Sequence, residues 1–265
     1  MNWNLISAEL RAQVLELSHQ AKAAHLASAL SCIDILAVLY ESILAFDPKN
    51  PDWPDRDRFI LSKGHAAAGL YAVLARKGVL RPSQLATYGK ANSLLEEHPS
   101  PNLPGVEAAT GSLGHGLPIA NGMALASRIQ KKSFRVYALL SDGECNEGSV
   151  WEAAMFAARH KLSNLCAIVD FNKWQATGRS QEVLALDPLA DKWRAFGWAV
   201  EEIDGHDHDQ LSTQLSRKCE GLPRVYIAHT VKGKGISFME DDNNWHYRVP
   251  TRDEINMARE ELGLE

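Results

Sequence analysis

The amino-acid sequence predicts an α/β fold with three layers, a parallel sheet flanked by helices on both faces. From about residue 116 onward, short runs rich in β-branched or aromatic residues alternate with segments whose apolar residues recur every three or four positions. Strands that alternate with helices pair in parallel, because each helix carries the chain back to the edge where the previous strand began. Such sheets bind ligands beyond the carboxyl ends of their strands, so we expect the chemistry directly after the strands.

The same periodicities locate the individual elements. Helical spacing predicts eight helices, near residues 5–20, 33–44, 66–77, 117–130, 149–161, 187–196, 208–220 and 252–262. Runs bounded by turn residues predict four strands, at residues 135–140, 165–171, 198–203 and 224–230. No internal repeat or linker divides the chain, so we expect residues 1–265 to form a single domain.

Composition and charge exclude several classes of protein. The 265 residues include 28 Lys and Arg against 33 Asp and Glu, a formal net charge of −5, and 45% of them are hydrophobic. This balance leaves no broad basic face for a phosphate backbone, so we expect no nucleic-acid partner. The longest stretch without charged side chains, residues 108–127, is interrupted by four glycines and a proline, so we expect no membrane-spanning helix.

The cysteines and the N-terminus indicate the compartment. Cys32, Cys145, Cys166 and Cys219 show neither C-x-x-C spacing nor a zinc-binding pattern, which favours reduced thiols. The first residues contain no basic start followed by an apolar block, so they do not resemble a secretion signal. We therefore expect a cytoplasmic protein.

Polar residues follow two strands that are consecutive along the chain. Asp142 and Gly143 come directly after the strand predicted at 135–140, and a helix is predicted a few residues later. Gly143 lets the backbone approach an anion, the helix start offers unpaired N–H groups, and Asp142 offers a hard oxygen to a divalent cation. An Asp-Gly pair alone is more often a tight turn. The next strand, however, leads to Asn172, which places two oxygen ligands at one sheet edge, as suits Mg2+ completed by diphosphate oxygens.

The block over residues 141–178, which contains SDGECNEG and VDFNKWQATG, resembles the thiamine diphosphate signature of the transketolases. The resemblance implies a thiamine diphosphate-binding fold and a metal site made by Asp142, Asn172 and the main-chain carbonyl of Trp174. It also implies cofactor contacts at Gly143, Glu144 and Asn172. The implied ion is Mg2+, for which Ca2+ or Mn2+ can substitute. Ser141 stands where the family usually has glycine.

Further segments match the same family in the same order and cover nearly the whole chain. AKAAHLASALSCIDILAVLY and EEHPSPNLPG resemble segments whose histidines face the substrate, whereas FILSKGHAAAGLYAVL and NNWHYRVP resemble segments whose histidines lie near the cofactor phosphates. The resemblance therefore implies catalytic roles for His25, His65, His98 and His246, and cofactor binding by His65 and His246. The glycine-rich stretch between them would place main-chain atoms against the thiamine, at Gly111, Ser112 and Leu113.

Several of these residues have plainer interpretations when the family is set aside. A histidine after AKAA, here His25, is more often a helix-face residue, and the glycine cluster around Gly111 can form a surface loop. That cluster is not G-x-G-x-x-G, so dinucleotide binding is a poor rival. Lys232 and Lys234 could screen a diphosphate, but solvated loop lysines are the favoured interpretation.

The sequence also departs from the family at a few positions. Ala24 and Leu26 flank the first histidine where glycine or small residues are usual, and Tyr247 stands where glycine commonly follows the last one. Glu147 and Glu152 lie at the start of a predicted helix, where carboxylates are favoured by the helix dipole. The resemblance adds Glu147 to the catalytic residues, at a subunit interface near the second active site.

The resemblance also implies a partner. In full-length transketolases, the glutamate that activates the cofactor's aminopyrimidine lies in a second α/β domain, together with the basic residues that hold a sugar phosphate. This sequence stops at Glu265, before any such domain. We therefore expect a separately encoded C-terminal transketolase subunit in an α2β2 assembly, which would be active in transferring a two-carbon ketol unit from a ketose phosphate to an aldose phosphate.

Two alternatives stay open on the sequence. The same cofactor pattern occurs in 2-oxo acid dehydrogenase components and in deoxyxylulose phosphate synthase, although the ordered set of four histidines favours a transketolase. A chain with these motifs could also be a non-catalytic interaction subunit. The donor and acceptor sugars are not specified, and apulose, sulfosugar and central pentose phosphate substrates are all compatible.

Overall fold

A five-stranded parallel sheet forms the centre of the computed structural model, which describes residues 1–218 and 220–264. Its strands are β1 (Arg58–Leu61), β2 (Val136–Ser141), β3 (Leu165–Phe171), β4 (Ala199–Asp204) and β5 (Arg224–His229). They lie in the order β1-β2-β3-β5-β4, and every pair is parallel. Every residue of β2 and β3 is buried, as expected for strands covered on both faces. The predicted parallel α/β sheet is confirmed.

The four strands predicted from the sequence are found within one residue at each end. β1 is not among the four strands predicted from periodic runs, but the segment that carries His65 is expected to begin with a strand before Gly64, and β1 is that strand. The four residues of β1, RFIL, are too few to display an alternation or a long apolar run.

Helices flank the sheet on both faces. They are α1 (Trp3–Ala21), α2 (Leu26–Ser31), α3 (Ile33–Val38), α4 (Ala67–Arg76), α5 (Pro82–Leu85), α6 (Gly116–Ile129), α7 (Gly148–Arg159), α8 (Ser180–Val183), α9 (Leu189–Ala195), α10 (His208–Ser216) and α11 (Arg252–Glu261). All eight predicted helices are present; the one near 33–44 is α3 continued by a π-helical turn, Leu39–Ile43. The sequence missed α2, α5 and α8, because helices this short show no apolar period.

The core consists of two apolar clusters, one on each face of the sheet. On β2, Tyr137 and Leu139 belong to the cluster built with α1–α4, α10 and α11. The alternate residues Val136, Ala138 and Leu140 belong to the cluster built with α6, α7 and α9. Successive side chains of a strand point to opposite faces, so one strand contributes to both clusters. The predicted three-layer arrangement follows from this alternation.

The structure also bears on the expectations about membrane-spanning helices and about the cysteines. Within residues 1–218 and 220–264, no helix combines the length and apolar character needed to cross a membrane. Cys32, Cys145 and Cys166 are buried thiols, whereas Cys219 lies outside the described residues. The cytoplasmic location stays a prediction.

Candidate functional site

A cavity of about 480 Å3 opens at the carboxyl ends of β1, β2 and β3. Residues that follow each of these strands line it: His65 after β1, Gly143 after β2 and Asn172 after β3. Other predicted site residues in the lining are His25, His98, Gly111, Leu113, Glu147, Trp174 and His246. The topology thus brings together in one cavity residues that are far apart in the sequence, as parallel sheets do at their carboxyl edge.

Four histidines from four separate segments converge in this cavity. The ring centroid of His25 lies 5.5 Å from that of His65, 6.1 Å from that of His98 and 5.0 Å from that of His246. His25 caps α2 in a left-handed backbone conformation, with φ of 66°, and its backbone N–H donates to the carbonyl of His246 at 2.6 Å. This bond ties the start of α2 to the late segment that carries His246.

Burial favours the neutral form of three of these histidines, His25, His65 and His246. It is the main cause that holds the pKa of His65 well below its ordinary value, and the nearby Lys63 ammonium adds to it. Burial, followed by the charge of Lys232, lowers the pKa of His246 to about 3. The pKa of His25 is lowered by burial and by the neighbouring His98. Each neutral imidazole presents one donor and one acceptor, which suits hydroxyl and phosphoryl recognition and proton transfer.

The buried histidines make stability depend on pH. Between the lowered folded-state pKa of His65 and the ordinary value of about 6.5 in the unfolded chain, the unfolded state binds more protons, so stability rises with pH and is lost as pH falls through that window. The slope of the free energy of unfolding against pH measures how many protons the chain takes up on unfolding. We expect His65→Gln to lower this number by up to about one between pH ~7.5 and ~5. Urea unfolding of the cofactor-free chain at several pH values measures this slope. Equal slopes for variant and wild type would contradict the neutral state of His65.

The predicted metal residues lie at the adjoining ends of β2 and β3. These strands pair with Ser141 opposite Asp170, so Asp142 and Asn172 follow neighbouring strands as the sequence predicted. Asp142 is fully buried beneath the cavity, where its carboxylate accepts from Ser180 Oγ at 2.7 Å and from the Gly143 N–H at 2.9 Å. Burial outweighs these bonds and raises the pKa of Asp142 to about 6. A buried carboxylate held this way is suited to a cation.

Hard oxygen atoms make up the predicted metal site. Asn172 is 3% exposed, and its Oδ1 accepts from the Trp174 N–H at 3.1 Å. No cluster of three or more His, Cys, Asp or Glu side chains suited to a metal occurs within the described part of the chain. The predicted set instead combines one carboxylate, one amide and one main-chain carbonyl, so additional oxygen donors are required to complete the coordination of Mg2+.

Two buried polar atoms in the cavity fit a polar ligand. His25 Nδ1 and Gln175 Nε2 are buried, and neither has a hydrogen-bond partner among the described residues. Such atoms are rare in folded chains, because an unpaired buried donor or acceptor costs about 1–3 kcal/mol. Gln175 also packs beside Gly143, where an added Cβ would lie 3.1 Å from Gln175 Cγ. Gln175 was not predicted from the sequence; its place in the loop after Asn172 was the available signal.

Glu144 and Ser112, both predicted to bind the cofactor, lie outside the cavity lining. Glu144 is fully buried, and its carboxylate accepts from Ser62 Oγ, from the Gly114 N–H at 2.8 Å and from the Ser141 N–H at 3.3 Å. These bonds tie the glycine-rich loop to the ends of β1 and β2. Ser112 is exposed next to the lining residues Gly111 and Leu113. The cofactor contacts expected of Glu144 and Ser112 stay predictions.

The two lysines of the late segment behave differently. The sequence favoured a solvated loop position for Lys232, and this is wrong: it is 1% exposed, and its Nζ donates to Asn243 Oδ1 at 2.6 Å and to His246 Nδ1 at 3.2 Å. Burial, with a contribution from Lys63, lowers the pKa of Lys232 to about 8. The short turn Asn243–His246 folds back near this side chain, a contact that the local sequence does not reveal. Lys234 is partly exposed and pairs with Glu240 at 3.2 Å.

A second, more open cavity of about 590 Å3 lies at the ends of β4 and β5. Its side chains are engaged with one another or with neighbours: His229 Nε2 lies 2.9 Å from Glu202 Oε2, and His206 Nδ1 lies 2.8 Å from Asp34 Oδ2. Of the residues that the sequence singled out for chemistry, Lys234 is the one in its described lining. The predicted chemistry therefore belongs to the smaller cavity.

The sheet and its cavity define the class of protein, a parallel α/β fold with a cavity beyond the carboxyl ends of its strands, where such folds bind ligands. Comparison then identifies the family. Residues 3–265 match the transketolase family's thiamine diphosphate binding domain, and the chain belongs to the transketolase family. The thiamine diphosphate-binding fold implied by the resemblance is confirmed.

Relatives of similar length carry the same domain. The chain is 40% identical over 263 residues to a subunit of the apulose-4-phosphate transketolase of Phocaeicola vulgatus, covering 97% of this chain and 92% of the relative. It is 46% identical over 240 residues to the corresponding apulose-4-phosphate transketolase subunit of Actinobacillus succinogenes, covering 90% and 87%. It is also 41% identical over 244 residues to 6-deoxy-6-sulfo-D-fructose transketolase subunit SqwG of a Clostridium species, covering 91% and 89%.

Solved transketolases share the fold. The transketolase of Campylobacter jejuni superposes with a TM-score of 0.94 at 30% identity, over 100% of this chain and 43% of that chain. The transketolase of Leishmania mexicana gives a TM-score of 0.93 at 25% identity, over 100% and 42%. The chain therefore spans less than half the length of these solved transketolases.

Proposed function

We propose that this chain is the N-terminal, cofactor-binding subunit of a two-component transketolase that transfers a two-carbon ketol unit from a ketose phosphate to an aldose phosphate. The observation that carries the proposal is the cavity in which four histidines meet the adjoining ends of β2 and β3. The similarity to relatives named as transketolase subunits supports it, because those relatives have nearly the same length as this chain. We also propose that residues 1–265 act as one domain in the cytoplasm.

We propose thiamine diphosphate and Mg2+ as the cofactors. Side-chain oxygens of Asp142 and Asn172 and the carbonyl of Trp174 would hold the ion, and the backbone at Gly143 would lie beside the diphosphate. The thiamine would lie against the main chain of Gly111, Ser112 and Leu113. Thiamine diphosphate supplies, when bound, a nucleophilic carbon able to take up a ketol unit. His25 Nδ1 and Gln175 Nε2, which are buried and have no hydrogen-bond partner among the described residues, support a polar occupant of the cavity.

The chain's own residues bind and orient the reactants. His25 and His98 would hydrogen-bond the hydroxyl groups of the sugar and move protons to and from its oxygens, while His65 and His246 would donate to the diphosphate. Lys232 supports this assignment, because an ammonium has protons to donate and no acceptor, so the His246 Nδ1 beside it must accept. The N–H of a neutral His246 ring then lies at Nε2, where it is available as a donor.

We propose that the partner is a separately encoded C-terminal transketolase subunit, in an α2β2 assembly with Glu147 at a subunit interface. That partner would bring the carboxylate for the aminopyrimidine and the basic groups for the sugar phosphate. Glu147 lines the cavity at the start of α7, a position open to a neighbouring chain. Membership of the transketolase family favours this proposal over a 2-oxo acid dehydrogenase component, and a non-catalytic role becomes an outcome of the test.

The proposal is tested by recovering the tagged chain from its native cells and assaying ketol transfer with thiamine diphosphate and Mg2+. We expect a stoichiometric second chain to co-purify and transfer to occur only in the mixture. The sugars named for the relatives, apulose 4-phosphate and 6-deoxy-6-sulfo-D-fructose, are the first donors to test. Cofactor binding without transfer for any donor, with or without the second chain, would instead indicate a non-catalytic subunit.

A further inference from the structure

We propose that Asp170 is a positioning residue of the cofactor site: its carboxylate fixes the amide orientation of Asn172 and anchors the segments that line the cavity. The inference rests on the proposed function, because it assigns Asn172 to the metal. Asp170 was not singled out in the sequence, where it reads as part of the apolar strand LCAIVDF. A charged residue inside a fully buried strand requires partners, and that was the overlooked signal.

Four side chains from four segments converge on this one carboxylate. Oδ2 of Asp170 accepts from Lys63 Nζ, from Ser31 Oγ at 2.6 Å and from Asn172 Nδ2 at 3.4 Å. Its other oxygen, Oδ1, accepts from Thr230 Oγ1. Asp170 and Lys63 are both fully buried. The bonds therefore act far from water, where a polar group left unpaired is costly.

The partners other than Asn172 lie close in the sequence to His25, His65 and the buried Lys232. Ser31 is the last residue of α2, whose first cap is His25, and Lys63 immediately precedes the turn that contains His65. Thr230 follows β5 and precedes the buried Lys232. One carboxylate therefore connects the segments that bear His25, His65 and Lys232 with β3, after which Asn172 follows.

The carboxylate also selects one orientation of the Asn172 amide. The Asn172 Nδ2 group donates to Asp170 and to Ser31 Oγ, which lies at 3.3 Å. Its oxygen therefore lies on the other side, where it accepts the Trp174 N–H. If the amide turned over, its oxygen would face the Asp170 oxygen, and two acceptors without a proton between them repel. Outer partners of this kind typically change metal affinity 10- to 100-fold when they are lost.

Lys63 balances the charge of Asp170. Its ammonium donates to the carboxylate and also to the Ser28 carbonyl at 2.8 Å, so both members of the pair have further bonds. A buried ion pair adds little net stability, because desolvation offsets the attraction, and replacing both members by apolar residues is often tolerated. Removing one member alone leaves an uncompensated buried charge. Orientation of the site is therefore a better account of this pair than stability.

Two variants separate positioning from folding. Asp170→Asn keeps the shape and removes the charge, whereas the double change Lys63→Met with Asp170→Leu removes both charges and fills the space with apolar atoms. Asp57→Asn is the matched control, because Asp57 is a buried carboxylate at the amino end of β1, far from the cavity at the carboxyl ends. It accepts from the Ala45 N–H at 3.0 Å and from the Arg135 N–H at 2.7 Å.

The test titrates thiamine diphosphate into the full chain, alone and with its partner, by calorimetry at a series of Mg2+ concentrations, and records thermal unfolding of each variant. We expect both Asp170 variants to need at least about tenfold more Mg2+ for half-maximal cofactor binding. Asp57→Asn should lower the unfolding temperature without moving the Mg2+ midpoint.

Each other outcome is informative. A folded variant of Asp170 with a wild-type Mg2+ midpoint overturns the inference, as does an equal shift in Asp57→Asn. If one Asp170 variant fails to fold, the other decides. If the wild-type chain binds no thiamine diphosphate in either setting, the proposed cofactor assignment fails first and the inference fails with it. Cofactor binding by the wild type that is indifferent to Mg2+ overturns the inference while leaving thiamine diphosphate in place.

Discussion

Replacing Asp142 by alanine is expected to abolish the Mg2+-dependent binding of thiamine diphosphate while the chain stays folded. Asp142 is the one carboxylate in the predicted metal set, so no other group of that set carries a full negative charge toward the ion. Outer partners of a metal site typically change affinity 10- to 100-fold, and a direct ligand should exceed this, so we expect a loss of more than about 100-fold. Calorimetric titration of thiamine diphosphate with and without Mg2+ measures the loss.

The fold should survive the change for a physical reason. The fully buried Asp142 carboxylate has two hydrogen-bond donors, Ser180 Oγ and the Gly143 N–H, yet burial still raises its pKa to about 6. The ionised group is thus poorly compensated by the protein alone. Removing it loses two hydrogen bonds but also removes a desolvated charge, so we expect the free energy of unfolding to change by no more than about 2 kcal/mol.

Asp142→Asn is the matched variant, because it keeps the shape but removes the charge. Its amide oxygen can still accept from the Gly143 N–H, while its NH2 group would donate to Ser180 Oγ where the carboxylate accepted. We expect its affinity for thiamine diphosphate at saturating Mg2+ to lie between those of the wild type and Asp142→Ala. An unchanged Mg2+-dependent affinity for thiamine diphosphate in Asp142→Ala would contradict the assignment of Asp142 to the metal. Unfolding of the alanine variant, with the asparagine variant folded and binding normally, would show instead that Asp142 serves the fold.

The placement of the two residues proposed to hold the metal, Asp142 and Asn172, was the part of the site most accessible to sequence reasoning. Two strands of clear apolar character each lead directly to an oxygen-bearing side chain, at Asp142 and at Asn172, and consecutive parallel strands bring their carboxyl ends together. The inference needed a local pattern and a topological rule and no detailed packing. The same rule placed the chemistry after the strands, which is where the cavity lies.

The polar groups behind the cavity were not accessible in this way. Lys63 and Lys232 are ordinary loop lysines by local sequence, and Asp170 is one residue of an apolar strand, yet all three are nearly or fully buried. Their burial depends on partners that are distant along the chain: Ser31 and Thr230 for Asp170, for example. Local spacing carries no information about such contacts, so the sequence favoured the more common solvated state for Lys232.

The histidines were partly predictable from the sequence. Their grouping came from the resemblance to a family and not from their local spacing, whereas their neutral state needed the structure. Burial is the largest cause of the lowered pKa of His25, His65 and His246, and burial arises where α2, the turn after β1 and the late segment meet. A chemical state that depends on the packing of three segments has no local sequence pattern.

A second large effect is expected from Gly64→Ala, which should destabilise the chain and weaken cofactor binding together. Gly64 opens the turn between β1 and α4, and a Cβ there would lie 2.6 Å from the Thr110 carbonyl carbon and 2.7 Å from the Gly111 nitrogen. These are backbone atoms, so the main chain of Thr110 and Gly111, called here the 110–111 strip, must itself move. We expect the free energy of unfolding to fall by about 1–3 kcal/mol, as for other overpacked sites.

The displaced strip explains the expected loss of binding. Gly111 lines the cavity and packs on the ring of His98, since a Cβ at Gly111 would lie 2.6 Å from His98 Cδ2. Moving residues 110–111 therefore shifts both the surface proposed for the thiamine and the histidine proposed to face the substrate, His98. The affinity for thiamine diphosphate at saturating Mg2+ should fall in the same variant, which calorimetry measures beside urea unfolding.

Gly122→Ala is the control for the loss of a glycine as such. Gly122 lies inside α6, and no atom lies within 4 Å of an added Cβ. Alanine is favoured over glycine in a helix interior, so this variant should be more stable than the wild type by about 0.5–1 kcal/mol and should bind the cofactor normally. If Gly64→Ala is as stable as Gly122→Ala, the 110–111 strip can move at little cost in free energy. This result would contradict the expected steric clash with the backbone.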